Sequence, residues 1–165
     1  MIDGIAYSLA TIPVCDDEPK TIKSIMAKGD DIQYVTEEFY IPDSQIGTWK
    51  DLKGPKRIEK VSKTGFKYIY SEGGLSFPDD LDKPSRTIIT SEGGKSPDRC
   101  RHVIIDQTGR YRRLIPLELE RLNMFPDHHT ALDGVSDGKR AFLMGNALVC
   151  GIVTAVGTEL ARKLK

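Results

Sequence analysis

Apolar positions follow two rhythms along this chain, and the rhythm changes near residue 115. Before that point the apolar runs are short and alternate with polar residues. "RIEKVSKTGFKYIYS" (57–71) alternates on both sides of Lys63, Thr64 and Gly65, which predicts a β-hairpin turning there. "RHVIIDQTGRYRRL" (101–114) predicts a second hairpin that turns at Gln107, Thr108 and Gly109. "RTIIT" (86–90) is β-branched and follows Pro84, so it predicts a lone strand between two loops. Residues 1–49 look irregular. "KTIKSIMAKGDD" predicts a short helix, with Ile22, Ile25 and Met26 at helical spacing, and "IQYVTEEFYI" predicts one or two short extended segments. Ser-Glu-Gly-Gly occurs at 71–74 and again at 91–94, read as two turns that glycine permits and not as an internal repeat.

After residue 115 the spacing becomes helical. "IPLELERLNMFPD" (115–127) predicts a short helix with Leu119 and Leu122 on one face, Pro116 in its first turn and Pro126 as its stop. Glu118 and Glu120 suit the positive end of its dipole. A loop through "HHTALDGVSDGK" leads to a second helix from about Arg140, broken at Gly145-Asn146 and resuming to Leu164. Strands first and helices afterwards make an α+β pattern.

One segment does not fit a self-sufficient domain. "AFLMGNALVCGIVTAVGT" (141–158) holds eighteen residues without a charge. That length is just inside the membrane-spanning range. Asn146, Thr154 and the three glycines Gly145, Gly151 and Gly157 argue against a span, and no membrane is expected. The pattern reads instead as a helix buried nearly all round, its glycines letting other backbones approach. A few short strands and one short helix are too little to wrap it, so the physical inference is a partner.

Composition narrows the class. The chain has 165 residues, 39% hydrophobic and 29% charged, enough for one soluble domain or a small domain with an appendage. No basic n-region with an apolar run opens it, so no secretory signal is expected. Its cysteines, Cys15, Cys100 and Cys150, are odd in number and far apart, against a disulfide framework or a zinc site and in keeping with a reducing, cytoplasmic setting. A net charge of zero hides a segregation. Residues 1–49 carry net −6, residues 50–114 net +6, and residues 115–165 are balanced. The middle segment is where a polyanion would bind. Its densest part, "KDLKGPKRIEKVSKTGFK", is either such a contact or a solvated surface hairpin, and charge alone does not choose.

Two segments carry a resemblance. "RRLIPLELERLNMFPD" resembles the ninth conserved motif of DNA (cytosine-5) methyltransferases, falling on Arg112, Leu114, Pro116, Glu118, Arg121, Leu122, Phe125, Pro126 and Asp127. "MGNALVCGIVTAVGTELA" resembles the tenth, a Gly-Asn followed by small and apolar residues. The two stand in the family's order and spacing. "KPSRTIITSEGG" is similar to the core of the family's target-recognition domain, with Thr87 at its recurring threonine, and "KYIYSEGG" to the strand and loop before it. The resemblance covers residues 50–165 well and 20–49 loosely.

This resemblance implies three parts: a linker or irregular lead-in (1–49), a small mixed, β-rich target-recognition domain (50–111), and helices (112–165) that complete a doubly wound α/β methyltransferase domain. In the family, early motifs bind S-adenosylmethionine, a Pro-Cys cysteine attacks a cytosine flipped from the duplex, and a Glu-Asn-Val glutamate assists. Here there is no Phe-x-Gly-x-Gly, no Glu-Asn-Val and no Gln-x-Arg-x-Arg, and none of the three cysteines follows a proline. The chain therefore looks like the C-terminal third of such an enzyme, either the smaller subunit of a two-polypeptide enzyme or the product of a broken gene, in a bacterial or phage cytoplasm. No catalytic residue and no metal is expected within it. Its implied partners are double-stranded DNA and a catalytic polypeptide carrying the earlier motifs.

Residue by residue, the resemblance puts Asn146, Ala147 and Leu148 at the S-adenosylmethionine pocket, Asn146 reading otherwise as a kink cap for the following helix. Thr87 is a phosphate contact or an ordinary strand threonine. Ser71, Glu72, Gly73 and Gly74, with Ser91, Glu92, Gly93 and Gly94, would form loops reaching the major groove, a carboxylate accepting from cytosine N4. Arg86, Lys95, Arg99 and Arg101 would meet guanine or phosphate. Arg112 and Arg121 read as structural salt bridges, Phe125-Pro126-Asp127 as a helix stop, and His128 and His129 as loop residues. Three functions compete: an enzyme component, a stand-alone sequence-specific DNA-binding module, and an inactive fragment.

Overall fold

Gly65 and Gly109 sit at φ of 83° and 80°, the left-handed region where glycine carries no steric penalty, and each closes one of the two expected hairpins. A computed structural model describes residues 3–8, 10, 12 and 18–164. In it the first hairpin pairs β1 (Lys56–Val61) with β2 (Lys67–Glu72), in a register running from Lys56 opposite Glu72 to Val61 opposite Lys67. The second pairs β3 (Ile104–Ile105) with β4 (Tyr111–Arg112). These two small sheets do not join.

The helices are α1 (Ile22–Ile25), α2 (Asp43–Lys53), α3 (Pro116–Leu122), α4 (Asp137–Asn146) and α5 (Cys150–Lys163). Pro116 opens α3, where its missing N–H costs nothing. Ser136 caps α4 through its hydroxyl, which accepts from the Lys139 amide. The extended residues Ala147–Val149 separate α4 from α5, just after Gly145 and Asn146, where the break was expected and which are still helical. Taken as one segment, Asp137–Lys163 is long and apolar enough to cross a membrane, at mean hydropathy 1.7. The break interrupts that segment, and the Cys150 amide there donates to Asn123 O at 2.9 Å, fastening α5 to the folded core.

Three neighbouring clusters make the interior. The largest joins Ile22 and Met26 of the α1 region, Ile104 of β3, Leu114, Leu119 of α3, and Ala141 and Met144 of α4. A second holds Ala27, Phe39, Ile115 and Leu117, and a third Ile41, Trp49 and Val103. Between them, Glu118 is wholly buried and fastens four donors. It accepts from Arg112 Nη1 and Nη2 at 2.8 and 2.7 Å, from Ala27 N at 2.9 Å and from Ile115 N at 3.0 Å. Arg112 and Glu118 are thus a buried structural pair that stitches the α1 region to the start of α3.

Several expectations change. "IQYVTEEFYI" is not extended: it holds two 3-10 segments, Gly29–Tyr34 and Glu37–Phe39, whose acidic first turns complement their N-termini. "RTIIT" forms no strand, because no second strand lies beside it, and sheet content is lower than a β-rich domain suggests. Helix α2, whose weakly amphipathic sequence hid it, runs across residue 49. Helix α3 ends before Pro126: Met124 turns left-handed at φ 60°, and the Phe125 amide bonds back to Glu120 O. None of Gly73, Gly74, Gly93 and Gly94 has a positive φ. What requires glycine in the second triplet is close approach. A Cβ on Gly93 would lie 2.9 Å from Ala141 Cβ, and one on Gly94 would enter the Arg101 guanidinium.

Candidate functional site

A cleft of about 530 Å³ runs between the 84–88 segment and the α4–α5 junction, with Thr87, Arg86, Arg121, Gly145, Ala147 and Ile152 among its walls. One wall is irregular chain, so side chains must hold it. Asp79, buried, is the hub. It accepts from Arg86 Nε at 3.0 Å and from Val103 N at 2.8 Å, with Lys53 Nζ 3.9 Å away. Lys53 is itself fully buried and donates to Arg101 O at 2.6 Å. Burial pushes its ammonium below the ordinary range, against the attraction of Asp79. Beside it, Glu92 accepts from His102 N at 2.6 Å and lies 2.9 Å from His102 Nδ1, while His102 Nε2 meets Ser85 Oγ at 3.0 Å. Ser, His and Glu in that order resemble a nucleophile relay. The Ser85 hydroxyl, however, donates to Arg86 O at 2.7 Å, so the row braces the segment rather than activating it.

The opposite wall depends on close backbone packing. Gly145 lies against the chain at Ile89–Thr90, where a Cβ would come within 2.5 Å of Thr90 Cα. Gly151 packs on Met124 Cε at a Cβ distance of 2.7 Å, whereas Gly157 meets nothing within 4 Å. Two of the three spaced glycines therefore serve close approach inside this chain. Arg121 closes one end of the cleft. Its guanidinium reaches Asp31 Oδ2 at 2.7 Å, donates through Nε to Asp127 Oδ1 at 2.9 Å, and has its pKa raised chiefly by Asp127. Phe125 packs on the largest core cluster, and its ring lies 4.9 Å from that of His129. No group of three or more His, Cys, Asp or Glu suited to a metal occurs among the described residues.

The predicted residues separate into groups. Thr87, exposed, and Ala147 line the same cleft. Asn146, also exposed, ends α4. Its Nδ2 donates to Phe142 O at 2.9 Å, and Val149, not Asn146, is the N-cap of α5. Leu148 is exposed. Glu92 is turned inward on His102, Gly93 and Gly94 pack beneath α4 and Arg101, and Ser91 O accepts from Arg101 Nε at 2.6 Å. Arg86 and Arg101 bond inward, and Arg99 holds Leu52 O and Gly54 O at 3.0 and 2.8 Å. Ser71 is exposed on the first hairpin, Glu72 Oε2 pairs with Arg99 Nε at 3.3 Å, Gly73 O accepts from Arg99, and Lys95 pairs with Glu38 at 2.8 Å. Cys15 lies outside the described residues, and Cys100 and Cys150 are free thiols that do not line the cleft. Sequence reading missed Lys53, Asp79 and His102. Lys53 ends α2, and Asp79 and His102 lie in irregular chain; single polar residues of this kind carry no periodic signal, and only their burial exposes them.

Helix α5 has no buried residue. Ile152, Val156 and Leu160 are 64%, 63% and 60% exposed, so the uncharged segment is not buried all round as expected: Ala141 and Met144 in its first half are core, and its second half finds no cover among the described residues.

No protein-family model matches the sequence. The chain is 41% identical over 148 residues to the Type II methyltransferase M.Sau3AI of Staphylococcus aureus, a match that takes in 89% of this chain and 34% of that enzyme. The structure of the Entamoeba histolytica methyltransferase EhMeth superposes with a TM-score of 0.59 at 18% identity, over 94% of this chain and 45% of that one. This likeness establishes a shared fold. The chain spans about a third of the length of the curated relative it matches, and over most of its own length it is similar to part of a Type II methyltransferase.

Proposed function

We propose that this chain is the C-terminal part of a DNA (cytosine-5) methyltransferase, one that recognises the DNA target and closes the S-adenosylmethionine site, while methyl transfer is carried out with a catalytic polypeptide that supplies the earlier motifs. The observation that carries this reading is the single cleft shared by Thr87 and Ala147. A methylating site must bring target base and methyl donor together. Here the residue that the resemblance assigns to DNA and one that it assigns to the cofactor face one opening. The 41% identity to a Type II methyltransferase supports the same class.

The cofactor fits this chain as one wall only. The break at Ala147–Val149 offers the exposed apolar Leu148 beside half-buried Ala147, and Asn146 Oδ1 accepts no hydrogen bond among the described residues. Asn146, Ala147 and Leu148 would hold part of S-adenosylmethionine, whose role when bound is to supply the methyl group. The uncovered side of α5 supports a docking role, since a free-standing DNA reader would gain nothing from three apolar residues in water. The doubly wound domain, in this reading, lies on that side.

The test is methyl transfer from labelled S-adenosylmethionine to mixed-sequence duplex DNA. It uses this chain, the upstream polypeptide, and both together. Activity in the mixture alone is the expected result, and Val156→Lys should abolish it while leaving this chain folded. Activity of this chain alone would overturn the reading. Duplex binding without activity in any mixture would favour a stand-alone DNA-binding module.

A further inference from the structure

Fifteen Lys and Arg fall between residues 50 and 114, and nine of them are engaged inside the protein. Lys53, Arg86, Arg99, Arg101 and Arg113 donate to backbone carbonyls or to Asp79. Lys83, Lys95, Arg110 and Arg112 pair with Asp80, Glu38, Glu37 and Glu118. The other six are Lys50, Lys56, Arg57, Lys60, Lys63 and Lys67, and none of them meets a carboxylate within 4 Å among the described residues. All but Lys50 stand on the β1–β2 ribbon. The positive excess of the middle segment is therefore a local feature of the hairpin whose charge density stands out in the sequence; it shares β2 with Ser71 and Glu72 and is separate from Thr87 and the 91–94 loop.

The ribbon has a second peculiarity. It forms a two-stranded sheet of its own, and nearly every side chain on both faces is exposed. Phe66 is 69% exposed and Ile69 58%. A lone pair of strands is marginal in water, and one that also exposes Ile58, Val61 and Tyr68 lacks a cover. Lys60 Nζ lies 3.8 Å over the Tyr70 ring, which orders its stem without neutralising its charge. Six residues per strand make a finger about 20 Å long. A two-stranded ribbon of that kind is narrow enough for the major groove, about 12 Å wide.

We infer that the β1–β2 ribbon is a clamp on duplex DNA, its lysines on phosphates and its exposed apolar side chains on sugars and base edges, holding the duplex without regard to sequence. This rests on the reading of the chain as a DNA-recognition part, and it gives the grip to a different element from the Thr87 segment. Charge complementarity selects the occupant, because a polyanion is what five unpaired cations on one finger would hold.

The experiment is fluorescence anisotropy of a labelled mixed-sequence duplex, titrated with the whole chain at several salt concentrations. It compares wild type with Lys60→Gln/Lys63→Gln/Lys67→Gln. These side chains are exposed, so the triple variant should unfold with wild type in a thermal melt. Each phosphate contact contributes about 0.9 to the slope of log K on log salt, so three removed contacts should make the slope shallower by about 2.7. Between roughly 50 and 200 mM salt the ratio of the two affinities should then change by about 40-fold. If wild type binds and the variant matches it in affinity and slope, the clamp is refuted and the recognition reading stands. If wild type binds no duplex, both fall. If vesicles of anionic phosphatidylserine hold wild type but not the variant, while duplex binding is equal, the ribbon serves a membrane and the proposal is overturned.

Discussion

Replacing Glu118 with Gln tests the structural role of the buried Arg112–Glu118 pair. The change keeps size and shape but removes the charge that faces Arg112, whose side chain is almost wholly buried. It also presents an amide NH2 to a site where every neighbour is a donor: Arg112 Nη1 and Nη2, Ala27 N and Ile115 N, all within 3.0 Å. Breaking a buried pair by removing one partner costs about 3–5 kcal/mol, because the remaining charge stays buried with only Asp106 Oδ2, 3.8 Å from Arg112 Nε, to compensate it in part. The stray NH2 argues for the upper half of that range. A domain of this size has about 5–15 kcal/mol to lose, so a visible fraction of Glu118→Gln should be unfolded at rest. Urea unfolding followed by circular dichroism should show the midpoint lowered by about 2 M. Amide exchange at Ala27 and Ile115 should accelerate even below the transition. Combined with Arg112→Met, the losses should be far from additive, the double variant being little worse than the weaker single. A native-like spectrum with a loss under about 1 kcal/mol would refute the assignment of this pair as the stitch between the α1 region and α3.

Two further perturbations follow from the same packing. Gly145→Ala should cost about 1–3 kcal/mol in urea unfolding, since the fixed backbone at Ile89–Thr90 cannot retreat from the new methyl. Gly157→Ala, in open space on α5, should be neutral or stabilise by up to about 1 kcal/mol, and equal losses at the two sites would refute the close-approach argument. Acid should weaken the fold through Glu120. Burial raises its carboxyl, but the Thr130 hydroxyl and amide and Arg140 outweigh that and hold it below its ordinary 4.5. A folded value below the unfolded one means the stabilisation is complete above the unfolded pKa and is lost as pH falls through the folded one. The urea midpoint should therefore drop as pH falls below the ordinary 4.5, and Glu120→Gln should flatten that slope.

Much of the secondary structure could be read from the sequence alone, because it depends on local chemistry. Gly65 and Gly109 close the two hairpins for lack of a Cβ. Pro116 opens α3 for lack of an N–H, and Ala147–Val149 interrupt a helix that Gly145 and Asn146 weaken. The uncharged run from 141 to 158 marked itself as apolar area in need of cover; the fold buries Ala141 and Met144 of its first half in the core and leaves α5 exposed. What lies beyond local reach came only with the tertiary structure. "RTIIT" has strand propensity and no strand beside it, so it stays irregular and is held by Asp79, twenty-four residues from the Val103 amide it binds. Arg86, Arg101 and Glu92 have the chemistry to read DNA, yet carbonyls, a carboxylate and His102 take up their hydrogen-bonding capacity from within. The ribbon lysines look no different in the sequence. Among the described residues no acidic side chain comes within ion-pair distance of them, and a partner's position in space is not written in either residue.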